Sequence, residues 1–312
     1  MIRRSTWNTR AMLVVGTALL VLAAAAAAAG GPHFSAWSNA VIVEDPATPE
    51  GVNTPQHDGC PIASPDGLSM YIASNRQPGG KGLLDIWVVT RESTSDPWGP
   101  ASNLPEPINS AADDFCPTPV RGNGLFFVSR RTIAGVTCGM GDIYFTRRNP
   151  VHGWSEPQHL GCAPNGPNTA ADEMGPSYFE ADGKGFLYFS SGPDIFASEQ
   201  LASGGFGPGS AVASLNSAAA DIQPNVRKDG REVVFASNRL GTLGSQDIWA
   251  ATRESVDNPW STPVNLGPAI NTADSETRPS LSWDARTLLF GRAPAAGPPG
   301  DVYLSTREKL GG

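Results

Sequence analysis

The nine residues from Asn53 to Pro61 (NTPQHDGCP) indicate the architecture, because their pattern recurs along the chain. The shared pattern is N-[ST]-x-x-x-[DE]-x-x-P, and it occurs without a gap in five places. The copies are NTPQHDGCP at 53–61, NSAADDFCP at 109–117, NTAADEMGP at 168–176, NSAAADIQP at 216–224 and NTADSETRP at 271–279. Repetition at intervals of this size is typical of solenoids, propellers and arrays.

The residues after each copy predict further strands. A turn such as Asp66-Gly67 leads to a β-rich run: MYIAS, LFFVS, FLYFS, EVVFAS or TLLFG. A third strand starts with Asp-[IV]-aromatic, at Asp85, Asp142, Asp194, Asp247 and Asp301, and in four units an aromatic residue and a proline mark a fourth. Four short strands repeated radially make a propeller blade. We therefore predict an all-β, five-bladed β-propeller of four-stranded antiparallel blades.

The ends of the chain indicate how the ring closes. The units span about 53–108, 109–167, 168–215, 216–270 and 271–308, and the fifth lacks a fourth strand. Residues 36–43, which include Trp37, have the signature of an isolated fourth strand. We predict that this N-terminal strand completes the last blade, so that residues 31–312 form one propeller domain.

Composition excludes several classes of protein. The 312 residues include 35 Gly and 28 Pro, which excludes a helical bundle. The net charge of -8 leaves no basic face for nucleic acid, so no nucleic-acid partner is expected. We expect a monomer.

Residues 1–30 have the features of a signal peptide. Three arginines precede an apolar stretch, residues 11–29, that ends in an alanine run. An uncleaved membrane anchor is the alternative, because this stretch approaches the length of a bilayer span. With cleavage, the sequence predicts a periplasmic or secreted protein without a membrane span.

Several repeated elements resemble those of a known family. The P-x-x-S-x-D-G turn at 61–67, the F-x-S-x-R element at 127–131 and 235–239, and the Asp-Ile-aromatic strand are similar to the WD40-like repeats of TolB-type propeller proteins. The resemblance implies an exported bacterial propeller that binds other envelope proteins.

The repeated acids are the first candidate site. Because each precedes an innermost strand, Asp58, Asp114, Glu173, Asp221 and Glu276 are expected to ring one mouth of the channel, with Asp113, Asp172 and Asp274 beside them. Such a ring could bind calcium or a cationic ligand. Alternatively, a residue repeated in every unit serves to fix the blade by accepting backbone N–H groups.

Other ligand-binding candidates border the same mouth. His57 adjoins Asp58 and is the histidine that could act there as a base or ligand, while Arg76, Arg131 and Arg239 lie at the roots of the loops after strand two. These arginines could grip a peptide or glycan, or they could be solvated surface charge.

The four cysteines are expected to pair in an oxidising compartment. We favour Cys60 with Cys116, which hold the same position in neighbouring units, and Cys138 with Cys162. A four-cysteine zinc site is the alternative, although C-x₂-C spacing is absent.

The sequence favours an exported, non-enzymatic propeller that binds a protein, peptide or glycan on the acidic face. The alternative is a glycoside hydrolase or related sugar-processing enzyme, with two channel-mouth carboxylates about 5 to 9.5 Å apart. A calcium-stabilised scaffold is a third hypothesis, and otherwise no cofactor is expected. The chain has no G-x-S-x-G or H-E-x-x-H motif and no phosphate-binding loop.

Overall fold

The computed structural model describes residues 33–44, 51–294 and 300–311. Within these ranges the chain forms strands and turns, and it contains no helix long and apolar enough to cross a membrane. The predicted signal peptide, residues 1–30, lies outside the described residues.

The strands are short and closely follow the repeat. In chain order they are β1 (His33–Phe34), β2 (Val41–Ile42), β3 (Asp58–Ala63), β4 (Ser69–Ser74), β5 (Asp85–Thr90), β6 (Ser102–Asn103), β7 (Asp114–Val120), β8 (Gly124–Ser129), β9 (Asp142–Asn149), β10 (Gly153–Trp154), β11 (Gln158–His159), β12 (Glu173–Ala181), β13 (Lys184–Ser191), β14 (Asp194–Glu199), β15 (Ser210–Ala211), β16 (Asp221–Val226), β17 (Glu232–Ser237), β18 (Asp247–Thr252), β19 (Val264–Asn265), β20 (Ser275–Leu281), β21 (Thr287–Ala293), β22 (Asp301–Thr306) and β23 (Lys309–Leu310).

Five antiparallel blades form from these strands, which confirms the predicted fold class. Blades one, three and four are β3–β6, β12–β15 and β16–β19, and blade two is β7–β9 with its outer edge divided between β10 and β11. Blade five is β20–β22 with β2 as its fourth strand, where Val41 pairs with Leu304. The N-terminal strand therefore closes the ring, and β1 adds a second clasp by pairing with β23.

The repeated asparagine joins each blade to the one before it. Asn109 accepts the backbone N–H of Ile86 and donates to its carbonyl, both at 2.9 Å. Asn53 does the same for Val302 across the ring closure, at 2.6 and 3.1 Å. These buried side chains satisfy backbone groups at the start of the neighbouring blade's third strand, which is why every unit begins with asparagine.

A β-bulge in each innermost strand explains the end of the repeated pattern. The ladder of strands one and two shifts register in all five blades, and the residue two places after the repeated acid has a positive φ. These bulge residues are Cys60, Cys116, Gly175, Gln223 and Arg278. The proline that follows has no N–H to donate, so it is suited to this break in the ladder.

The core lies within the blades and between neighbouring blades. One position of the second strand is fully buried in every blade, and it is occupied by Ile72, Phe127, Phe189, Phe235 and Phe290. These large side chains hold the blades against one another. The face that carries the loops entering the innermost strands is called the top face below, and the opposite face is the bottom face.

Candidate functional site

The five repeated acids lie inside the blades and are fully buried. Asp58 shows the arrangement: it accepts the backbone N–H and the hydroxyl of Thr54, at 2.6 and 2.7 Å, and pairs with Arg76. Three further pairs repeat this contact: Arg131 with Asp114, Arg239 with Asp221, and Arg292 with Glu276. The expected ring of five carboxylates at the channel mouth is not formed, because each blade binds its own acid internally.

The candidate arginines therefore have an internal role. Arg76 donates to the carbonyls of Gly51 and Val52, both at 2.7 Å, as well as to Asp58. Arg131 and Arg239 make the equivalent contacts in blades two and four. These guanidinium groups hold the loop that enters each blade against the loop that leaves strand two, so they do not form a cationic border around the mouth.

Glu173 departs from this pattern. Its carboxylate accepts hydroxyl groups from Thr169 at 2.6 Å and Ser191 at 2.8 Å, and among the described residues no cation pairs with it. Burial raises the pKa of Glu173 to about 7. Its Oε2 atom is buried without a hydrogen-bond partner. Blade three therefore contains a buried carboxyl group that is half protonated near neutral pH.

The residues that do line the mouth stand one place before the repeated acids. Successive strand residues face opposite sides, so burying the acid in the blade turns its neighbour toward the mouth. This position is occupied by His57, Asp113, Asp172, Ala220 and Ser275. Unlike the repeated acid, the residue at this position differs between blades. Two of the five are carboxylates, Asp113 and Asp172, and they lie in the adjacent blades two and three. Asp274 stands one place earlier in its own unit.

Arg130 holds the two mouth carboxylates together. Its guanidinium contacts Asp113 at 3.1 Å and Asp172 at 2.7 Å. Since a guanidinium is a rigid planar fork, the bonded oxygens lie within about 8 Å of each other. The second oxygen of Asp172 and Nε of Arg130 are buried without partners, so the cluster retains unused hydrogen-bonding groups.

A second basic group forms the floor of the mouth. Arg278, the bulge residue of blade five, lies 3.2 Å from Nε2 of His57. Burial and then the charge of Arg130 lower the pKa of Arg278 to about 10, and burial and then Arg278 lower the pKa of His57. At neutral pH the imidazole of His57 is therefore uncharged and lies beside the guanidinium cation of Arg278. The sequence indicated His57, but it gave no role to Arg278 beyond its place in the repeat.

The channel below this floor is closed. The bulge residues Cys60 and Cys116 form a disulfide, and the prolines and polar side chains around it leave a cavity of about 30 Å³. The top mouth is therefore a shallow depression rather than the entrance of an open channel. We call it the top bowl, defined by His57, Asp113, Arg130, Asp172 and Arg278.

The remaining cysteines form the second predicted disulfide, Cys138–Cys162. Because the two bridges are separate, a four-cysteine zinc site is excluded. Within the described ranges, one group of potential metal ligands occurs, namely Cys138, Cys162 and His159. His159 bonds Asp142 at 3.0 Å, just as Asn103 and Asn265 bond the corresponding aspartates in their blades, so its contact belongs to the blade framework.

Comparison with known proteins places the fold among glycoside hydrolases. No family model matches the chain, and no curated protein matches it. Among solved structures, the α-L-arabinofuranosidase of Podospora anserina, in complex with cellotriose, has a TM-score of 0.56 at 12% identity and covers 89% of this chain and 98% of its own. The catalytic domain of a Coprinopsis cinerea α-L-arabinofuranosidase has a TM-score of 0.55 at 13% identity, covering 88% and 98%. The chain shares its fold with these hydrolases. A xylan β-1,4-xylosidase of Bacillus halodurans has a TM-score of 0.53 at 13% identity and covers 80% of this chain and 52% of its own.

These comparisons correct two expectations. The TolB-type assignment is wrong, because the similar solved structures are glycoside hydrolases. The elements that suggested it hold each blade together: Asp85, for example, accepts hydrogen bonds from the backbone N–H of Gly82 and from the side-chain amide of Asn103, both at 3.0 Å. The prediction of a non-enzymatic binding propeller is also contradicted by the hydrolase neighbours, and its supposed acidic ring is absent from the mouth.

Proposed function

We propose that the protein is a glycoside hydrolase or a related sugar-processing enzyme whose site is the top bowl. The observation that carries the proposal is the pair Asp113 and Asp172, two partly exposed carboxylates held by one guanidinium at the mouth. The hydrolase neighbours support the same reaction class, which the sequence offered as its alternative.

Hydrolysis of a glycosidic bond needs two carboxyl groups with different roles. One donates a proton to the leaving oxygen as the C–O bond breaks, and the other accepts a proton from the attacking water or itself attacks the anomeric carbon. The bonded oxygens of the two bowl carboxylates lie at most about 8 Å apart, and such enzymes use separations of about 5 to 9.5 Å. When a substrate draws Arg130 toward one carboxylate, the other loses its positive partner and is assigned the role of proton donor.

The other bowl residues can bind the sugar. Arg278 and Arg130 offer N–H donors to hydroxyl or ring oxygens, and neutral His57 can accept or donate one hydrogen bond. A closed floor suits a short substrate segment lying across the mouth, because no chain can thread the channel.

Release of reducing sugar tests the proposal. Aryl arabinofuranosides and xylosides, arabinan and xylan form the first panel, because the neighbours' names refer to arabinofuranose and xylan. We expect Asp172→Asn and Asp113→Asn each to lower the rate by about 10² to 10⁴-fold. Asp182→Asn, in a bottom-face turn whose positive φ suits asparagine, is the matched control and should keep full activity. No release by the wild type from any substrate, or full activity in both bowl variants, would contradict the assignment.

We also propose that the enzyme works outside the cytoplasm, as a periplasmic or secreted monomer. The order of charge and hydrophobicity in residues 1–30 and the two disulfides support export. N-terminal sequencing of the protein recovered from the producing cells tests it: a start near residue 30 supports cleavage, whereas an intact Met1 in a membrane fraction supports an anchor. Gel filtration tests the monomer.

A further inference from the structure

A well-formed cavity lies on the bottom face, opposite the top bowl. Its volume is about 490 Å³. It is lined by residues at or near the turns between the first and second strands of blades two, three, four and five. We call it the bottom pocket, defined by Arg121, Tyr178, Glu180, Lys228 and Trp283. None of these residues belongs to the top bowl or to the repeated pattern.

Four cationic side chains and three carboxylates line the bottom pocket, which leaves its lining with a net charge of +1. Nζ of Lys228 donates to the carbonyl of Tyr178 at 2.7 Å, which leaves other ammonium protons unused. Arg121 is exposed, and among the described residues no carboxylate lies within 4 Å of either cation. Arg227, by contrast, is neutralised by Asp229 and Glu232, both at 2.7 Å. In a chain with a net charge of -8, this local excess favours an anionic ligand.

An aromatic surface accompanies the two cations. Lys228 and Arg121 lie 5.1 and 4.9 Å from the ring centre of Trp283. The phenol of Tyr178 donates to Glu180 at 2.9 Å, and both residues are among those that line the pocket. Pockets of this size bind small molecules through apolar surface and a few fixed polar groups.

We propose that the bottom pocket binds a uronic acid, a sugar ring bearing a carboxylate. Its carboxylate would bind Lys228 and Arg121, its C–H face would pack on Trp283, and its hydroxyls would bind Glu180 and the Tyr178 hydroxyl. A simple anion would use only the first of these contacts, and a neutral sugar only the others. The site is independent of the reaction at the top bowl, because the two lie on opposite faces.

Calorimetric titration of the purified protein with D-glucuronate tests this site. We expect saturable binding, with D-glucose and acetate each at least about tenfold weaker. Lys228→Met should weaken glucuronate binding by at least about tenfold, whereas Lys184→Met, at an exposed lysine outside the pocket, should leave it unchanged. Arg121→Ala is the second variant, because an exposed residue can be replaced without loss of the fold.

Each contrary outcome overturns the inference. No saturable heat with glucuronate at about 10 mM would remove the site. Acetate binding as tightly as glucuronate would reduce it to a simple anion site, and equal binding of glucose would remove the role of the cations. Unchanged affinity in a folded Arg121→Ala and Lys228→Met pair would place glucuronate elsewhere. Activity at the top bowl is measured separately, so failure of one proposal is distinguishable from failure of the other.

Discussion

Ser191 donates its hydroxyl to Glu173 across 2.8 Å, in the one described blade whose repeated acid has no arginine partner. In blades one, two and four the equivalent serine supports an arginine that neutralises the acid, as Ser74 supports Arg76 at 3.0 Å. Blade three instead continues into Gly192-Pro193 after this serine. The acid of that blade therefore remains without a positive charge, beside the mouth residue Asp172.

Stability should depend on pH through Glu173. Its folded pKa of about 7 lies above the ordinary value of 4.5, so the native state retains a proton that the unfolded state loses between these values. The free energy of unfolding should therefore fall as pH rises from about 4.5 to 7, by at most about 3 kcal/mol. Urea unfolding of wild type and Glu173→Gln across this range measures it.

The variant keeps a neutral group at every pH, so the difference between the two proteins isolates Glu173. We expect Glu173→Gln to remove this part of the slope, whereas Glu199→Gln, at an exposed position, should retain it. If the free energy of unfolding changed with pH in the same way for wild type and Glu173→Gln, Glu173 would have no raised pKa.

Removal of Arg76 should strongly destabilise blade one. Arg76→Met would leave the fully buried Asp58 carboxylate without its cation, and loss of one partner of a buried pair costs about 3–5 kcal/mol. Urea unfolding measures this loss. Adding Asp58→Asn should recover part of it, because the unpaired charge is then gone. Arg286→Met provides the comparison: its pair with Glu308 is exposed, and its loss should cost less than about 1 kcal/mol.

Ring closure should depend on Asn53. Its amide satisfies both backbone groups of Val302, which joins blade one to blade five. Asn53→Ala should lower the free energy of unfolding by about 2–5 kcal/mol, because two buried backbone groups lose their partners. Asn39→Ala, at an exposed site, should have little effect. Equal denaturation midpoints for the two variants would contradict a closing role.

The disulfide between the innermost strands of blades one and two should stabilise the fold. Cys60 and Cys116 are 56 residues apart, and a bridge that closes a loop of this length typically contributes about 2–4 kcal/mol. The double variant Cys60→Ser, Cys116→Ser should therefore unfold at lower urea concentration. Peptide mapping without reduction should recover Cys60 with Cys116 and Cys138 with Cys162. Any other pairing would contradict the arrangement of blades one and two.

Much of the fold could be predicted because its determinants repeat. The pattern of Asn53, Asp58 and Pro61 marks a contact to the previous blade, an internal ion pair and a bulge, and each recurs at the same spacing. Five recurrences distinguish such a pattern from chance, and the missing fourth strand of unit five made the N-terminal closure predictable. The two cysteine pairs followed from the same register.

The candidate site could not be located in the same way. Repetition drew attention to Asp58, Asp114, Glu173, Asp221 and Glu276, and those are the residues that each blade uses to hold itself together. The residue that faces the mouth, one place before each acid, varies between units, so no pattern marked it. Arg278 occupies another variable position of the repeat, between Glu276 and Pro279, and was not distinguished from its counterparts.

The number of blades, the strand order within each blade and the closing strand could be predicted from the amino-acid sequence, because they depend on local spacing and on side chains that contact their own or the adjacent unit. Which carboxylates face the mouth and which are neutralised inside a blade became clear from the packed ring. Each bulge sets which side chain enters the channel, and ring closure brings Arg278 of blade five to His57 of blade one. The same closure gathers Arg121, Lys228 and Trp283 from three blades into one pocket. Contacts between residues so distant in sequence leave no local pattern, so they follow only from the packed ring.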